Sequence, residues 1–246
     1  MLEKEYRIIT LFLFALIPIS GHSQLSVTSY MEAGKNAVYN NSYFGYSVIP
    51  SCELWDIKLE SGFSWTFASQ KENRFEGCFI KTSKEIYAFE KNAFGLAGLY
   101  MWKPFSYELR EVNWGLMITY SYSHFQFLLG NNHRTYRYSY KSRNLNEFSR
   151  ESSKITEPWN LIYKVQYSLN SNEKPWNLAM ALTNIDYFLI NQETNLMYHL
   201  QSTYAINKNV TMFLDLWYKS AGMFNMKVNH FGYLFRFGVQ WEITDL

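Results

Sequence analysis

Four polar residues near the C-terminus, His199, Gln201, Asp215 and Arg236, have the side chains of a charged binding or ion-selecting site. Strand geometry brings them together. Side chains on a strand alternate between its two faces, and the short turn Asn207-Lys208-Asn209 sets Ile206 against Val210. The same register places Gln201 opposite Asp215 and His199 opposite Trp217. Arg236, one strand further on, falls beside Asp215. Such a cluster can set selectivity at a constriction. It can equally be a set of paired charges filling a narrow interior, the reading favoured because an unpaired charge there is costly.

Other chemistry is poorly supported. Nucleophilic catalysis needs a Ser or Cys within reach of a His and an orienting acid. Ser123 adjoins His124, but neighbours on a strand point to opposite faces. The aspartates, Asp56, Asp186, Asp215 and Asp245, are dispersed, so no catalytic residue is predicted and the chain reads as a non-enzyme. His22, His124, His133, His199 and His230 have no ligand spacing, and neither do Cys52 and Cys78. No metal or cofactor is predicted. A hairpin tip at residues 69–73 would put Cys78 opposite Trp65, several pairs from Cys52, which disfavours a disulfide. Arg134, Arg137, Lys141, Arg143 and Arg150, with Tyr136, Tyr138 and Tyr140, read as a solvated basic loop above an aromatic band.

The elements that must position these residues are strands. In Phe231 to Ile243, the residues Phe231, Tyr233, Phe235, Phe237, Val239, Trp241 and Ile243 form one apolar face, while Arg236, Gln240 and Glu242 lie on the other. The pattern recurs in Trp55 to Phe67, Phe94 to Trp102, Trp114 to Tyr122, Phe125 to Leu129, and in 159–169, 176–189, 195–206 and 210–219. A phase flip near Ser123–His124 predicts a bulge or tight turn there. Register checks agree with one apolar face throughout. Tyr204 meets Met212 and Tyr198 meets Tyr218, and across Asn170 to Pro175 Leu169 meets Trp176 and Tyr167 meets Leu178. Residues 142–157 and 221–229 read as loops at one end.

Composition points the same way. Aromatic residues make up 19% of the chain while mean hydropathy is only −0.26. A helical membrane protein is excluded by that average, whereas a barrel with one lipid face and one polar face is not. A net charge of +2 gives no reason to expect a nucleic-acid partner. Residues 1–23 read as a secretory signal peptide: Lys4 and Arg7 precede the apolar run Ile8 to Ile19, and the small residues Gly21 and Ser23 precede Gln24. Residues 24–246 then form one domain. The expected fold is all-β, a transmembrane antiparallel up-and-down β-barrel of about 12 strands, with about 10 as the alternative if residues 25–50 are not strands.

The signal peptide, the aromatic-rich alternating strands and the strong final amphipathic strand together resemble outer-membrane β-barrel proteins of Gram-negative bacteria, of the kind common in Bacteroidetes. Trp241 is followed by Glu-Ile-Thr-Asp-Leu, a departure from the aromatic final residue usual in such barrels. The resemblance implies an outer-membrane location, lipid and lipopolysaccharide as surroundings, the barrel-assembly machinery as a partner, and both termini in the periplasm. It implies a narrow channel or binding protein for a small polar solute. The alternatives are a non-conducting structural or assembly barrel with envelope partners, and a lipid-modifying enzyme. The basic segment 132–150 would then be an external loop, with lipopolysaccharide or another polyanion as its alternative ligand.

Overall fold

The computed structural model describes residues 24–36, 42–67, 75–104, 109–138, 154–170, 175–190, 196–219 and 231–243. The expected signal segment 1–23 lies outside them, as do loop 221–229 and most of loop 142–157. The strands are β1 (Gln24–Asn36), β2 (Ser42–Leu54), β3 (Ile57–Thr66), β4 (Phe75–Phe89), β5 (Asn92–Pro104), β6 (Leu109–Tyr122) and β7 (Phe125–Tyr138). They continue with β8 (Lys154–Asn170), β9 (Trp176–Thr183), the two-residue strands β10 (Ile185–Asp186) and β11 (Leu189–Ile190), then β12 (Met197–Ala205), β13 (Val210–Lys219) and β14 (Phe231–Ile243). Among the described residues there is no helix.

Twelve of these strands close into one antiparallel barrel in sequence order, with β1 sealing against β14 from Leu25↔Ile243 up to Asn36↔Phe231. Closure removes the open edges that a flat sheet would expose. Residues 25–50 supply β1 and β2, so the twelve-strand expectation holds.

The two faces divide as the alternation requires. Leu116 is 69% exposed, and Trp114, Ile118, Leu129, Leu161, Tyr198, Phe235 and Phe237 all point outward and are exposed. A continuous apolar belt of this kind suits lipid, since soluble proteins rarely expose contiguous apolar patches beyond a few hundred Å². Leu116, midway along β6, is therefore a sensitive position. Leu116→Arg is expected to cost about 2–4 kcal/mol in a bilayer. Reversible unfolding in lipid vesicles would measure it, and a neutral outcome would argue against a lipid-facing belt.

At the rim carrying Gln24 and Ile243, β2 and β3 are joined by Trp55–Asp56, β4 and β5 by Glu90–Lys91, and β6 and β7 by Ser123–His124. Trp55 and Asp56 both have positive φ, the backbone of a tight turn whose twist matches antiparallel strands. Ser123 has φ 54°, so the phase flip read there is a two-residue turn.

The register expected around Asn207–Asn209 is the observed one: Tyr204↔Met212, Tyr198↔Tyr218, Gln201↔Asp215 and His199↔Trp217. Around Asn170–Pro175 it is displaced by two residues, to Leu169↔Leu178 and Tyr167↔Met180. A two-residue slip preserves the faces, which is why the pattern alone does not detect it. Cys78 lies opposite Phe63 rather than Trp65, since β3 and β4 pair two residues off the register read from a tip at 69–73, and both cysteines are free thiols. Residues 154–157 belong to β8 instead of a loop. The segment expected to run as one strand from 176 to 189 leaves the wall at Thr183.

Glycine on the inner face makes room for side chains that fill the barrel. A Cβ on Gly62 would fall 2.1 Å from a ring carbon of Phe79, which is 1% exposed. Gly62→Ala is expected to displace that ring and cost about 1–3 kcal/mol, as overpacking does. The temperature at which the folded band shifts on a denaturing gel would show the loss.

Candidate functional site

The segment after β9 does not stay at the rim. Residues 184–190 form a hairpin, Ile185↔Ile190 and Asp186↔Leu189, that folds into the lumen. Loops ordinarily run over the surface because a buried one must satisfy its own polar backbone. Here the wall satisfies part of it, the Asn184 amide donating to the Tyr163 carbonyl at 3.2 Å, and side chains at 183–184 in turn bind the wall's backbone. Asn184 donates from Nδ2 to the Leu161 carbonyl and accepts from the Tyr163 amide at 2.8 Å. The Thr183 hydroxyl donates to the Tyr163 carbonyl at 2.9 Å.

Two buried arginines hold the far side of the hairpin. Arg236 on β14, 4% exposed, donates from Nη1 and Nη2 to the two carboxylate oxygens of Asp186 at 2.8 and 2.5 Å. Its Nε donates to Glu32 at 2.7 Å. Tyr30 and Trp217 lie against the guanidinium, 4.9 and 5.4 Å from ring centroid to Cζ. On the other side, Arg134 of β7, 2% exposed, donates to the Ile190 carbonyl. Arg134 is itself paired with Glu111 at 3.2 Å and Glu157 at 3.5 Å and donates to Asn113 at 3.1 Å. β14 and β7 stand almost opposite each other in the strand order, so the hairpin bridges the lumen.

Apolar packing completes the bridge. Phe188 meets Phe79 edge-on with centroids 5.0 Å apart, and Tyr187 stacks on the same ring at 5.8 Å. Phe188 and Ile190 join inward-facing Leu99, Met101, Met117 and Ile162 in one buried cluster, with Ile185 packed against it. An ion pair on one wall, a hydrogen bond from Arg134 on another and apolar burial on a third hold the hairpin across the lumen.

The four residues singled out from sequence are close but not joined as one unit. Gln201 donates to Asp215 at 2.9 Å, and His199 Nε2 lies 3.4 Å from the same carboxylate oxygen without hydrogen-bond geometry. His199 stacks on Trp217 with centroids 3.9 Å apart. Asp215 and Arg236 are register partners, yet the guanidinium turns to Asp186 and Glu32 instead. Asp186, Glu32, Glu111 and the hairpin itself were missed. Arg134 and Tyr136, read as part of an exposed basic loop, point inward and are buried, 2% and 8% exposed. The inward face continues to Arg134 because His133 keeps the outward place, stacked on Trp114 at 5.0 Å. Tyr138 is in β7, and residues 139–153, with Tyr140, Lys141, Arg143 and Arg150, lie outside the described residues.

The architecture matches solved structures. The KdgM porin superposes with TM-score 0.53 at 13% identity, over 89% of this chain and 99% of that one. The chain has a porin-type fold. The NanC porin gives TM-score 0.50 at 9% identity, over 89% and 100% of the two chains. An outer membrane channel from Pseudomonas putida F1 gives TM-score 0.50 at 8% identity, over 91% and 96%. No family model matches the chain, and no curated protein matches it in sequence. Within this porin-type barrel, the hairpin 184–190 and the two arginines holding it span the lumen.

Proposed function

We propose that the protein is an outer-membrane channel or solute-binding barrel for a small polar solute, exported by residues 1–23 and inserted by the barrel-assembly machinery. The observation that supports this most is the lumen itself. An outward belt fit for lipid encloses an interior carrying Arg236, Arg134, Glu32, Glu111, Asp215 and His199. A barrel that served only as a wall could fill its interior with apolar side chains at lower cost, because burying ions requires desolvating them. The charged groups are concentrated where the hairpin crosses, as at a selectivity constriction. The porin-type fold adds that such barrels host channels, although fold alone does not carry function.

Planar-bilayer recording of the purified protein tests the reading. The native barrel is expected to pass small, infrequent currents, with the hairpin in place. Asp215→Asn removes a lumen acid and is expected to lower cation preference by a factor of a few, read from the reversal potential in a salt gradient. If the native and variant barrels show the same selectivity, Asp215 does not line the path.

A second reading, a non-conducting structural barrel, is favoured by the filled apolar cluster around Phe188 and Ile190. It predicts silence in bilayers together with envelope partners that co-purify in stoichiometric amounts. Catalysis has less support: among the described residues no Ser or Cys side chain is hydrogen-bonded to a histidine.

A further inference from the structure

The contact between Asp186 and Arg236 has the form of a bound ligand. Both carboxylate oxygens meet the two terminal nitrogens of the guanidinium, the bidentate geometry by which arginine recognises a carboxylate. The third donor position, Nε, is already taken by Glu32 on the neighbouring strand. The fork is thus left to Asp186, which belongs to a hairpin and not to any strand of the barrel wall. Asp186 is also the one charged residue in 184–190.

The surroundings offer more donors than the protein fills. Among the described residues, Trp217 Nε1 is buried and has no hydrogen-bond partner, and its ring flanks Arg236. A buried donor left open favours a ligand with acceptor atoms beyond its carboxylate.

We propose that Asp186 is a built-in occupant of a carboxylate site on Arg236, and that a carboxylate-bearing, hydroxyl-rich solute displaces it and releases the hairpin. This inference rests on the reading of the lumen as a solute path. The incoming carboxylate takes the Nη1/Nη2 fork between Tyr30 and Trp217, and a neighbouring hydroxyl of the solute accepts from Trp217 Nε1. The other anchors of the hairpin, the Asn184 bonds to Leu161 and Tyr163, the Ile190 carbonyl on Arg134 and the ring contacts to Phe79, are uncharged on the hairpin side, so Asp186 is the one charged latch it contributes. Autoinhibition follows from competition: the solute's apparent affinity is reduced by the fraction of time Asp186 holds the fork.

Hydrogen exchange of residues 184–190 in detergent-purified protein tests this, with gluconate as the carboxylate probe and glucose as its neutral counterpart at matched ionic strength. Gluconate is expected to speed exchange of 184–190 in the native protein, while glucose leaves it unchanged. Asp186→Asn is expected to exchange fast without any ligand and to bind gluconate about tenfold more tightly, the competition having been removed. Arg236→Gln is expected to exchange fast and lose the gluconate response. Asp186→Asn keeps the Arg236–Glu32 pair, so the test stands even where Arg236→Gln yields no folded band. Unchanged exchange in the native protein at saturating gluconate, or equal gluconate affinity in Asp186→Asn, would overturn the proposal. Bilayer recordings separate the two ideas. Conductance without a gluconate response removes the latch and keeps the channel, whereas a gluconate response in a barrel that never conducts removes the channel and keeps the binding site.

Discussion

Arg236→Met is expected to destabilise the barrel by about 3–5 kcal/mol, the usual cost of removing one partner from a buried ionic cluster. The size follows from what is stranded. Side chains of Asp186 and Glu32 are 4% and 13% exposed, and both lose the cation that compensates their burial. Trp217 and Tyr30 lose the guanidinium they flank. The folded band of Arg236→Met should convert to the unfolded one at a markedly lower temperature than that of the parent. Adding Asp186→Asn should recover part of the loss, since one of the two stranded carboxylates is then neutral. Arg236→Lys should fall between, because an ammonium keeps the charge but cannot serve Asp186 and Glu32 with a fixed fork. Parental stability in Arg236→Met would mean that the ion cluster contributes nothing to holding the hairpin.

Replacing residues 185–190 with a short Gly/Ser linker is expected to raise single-channel conductance several-fold. Thr183 and Asn184 stay, so the hydrogen bonds that close the end of β9 against β8 are retained. What leaves is Phe188, Ile190 and Ile185 from the apolar cluster, and Asp186 from Arg236. The inward faces of Leu99, Met101 and Ile162 then border a wider space that water can enter. Stability should fall at the same time, because these side chains lose their cover. An unchanged conductance would place the narrow point elsewhere in the lumen, among inward residues such as Tyr30 and Phe213.

Much of the barrel wall is legible in the sequence because a period of two is a direct image of a strand with one face in lipid. Tyr198, Leu200 and Tyr204 against Met212, Leu216 and Tyr218 fix both face and register, and the turn Asn207–Asn209 leaves no slack. At Asn170–Pro175 the longer connection tolerates a two-residue slip, and periodicity is blind to it. The hairpin was not legible by the same logic. Ile185, Tyr187 and Leu189 have the composition of a further strand, although their odd positions break the even phase of Trp176, Leu178, Met180 and Leu182, and Asn184 marks the exit only through its side-chain hydrogen bonds to Leu161 and Tyr163. A second signal was present. In β5, the inward residues Ala97, Leu99 and Met101 are as apolar as the outward Phe94, Leu96 and Tyr100, and a strand apolar on both faces needs cover on the lumen side as well.

The candidate site was half readable for a related reason. Gln201, Asp215 and His199 sit on neighbouring strands whose register the sequence determines, so their proximity could be derived. The partners of Arg236 come from β1 and from the hairpin, distant in sequence, and only barrel closure brings Glu32 beside it. Arg134 was misplaced because a charge among tyrosines looks like an interfacial anchor until the phase of β7 is known.

Residence in the outer membrane is the claim on which the lumen, the hairpin and the latch all depend. Fractionation of expressing cells, followed by gel migration of the detergent-extracted protein before and after boiling, tests it most directly. The protein is expected to pellet with outer membranes, to need detergent for extraction, and to run as a compact band that shifts only on boiling. A protein that stays in the supernatant without detergent and shows no shift would contradict it, since the exposed belt around Leu116, Phe235 and Phe237 would then have to be covered by something other than lipid.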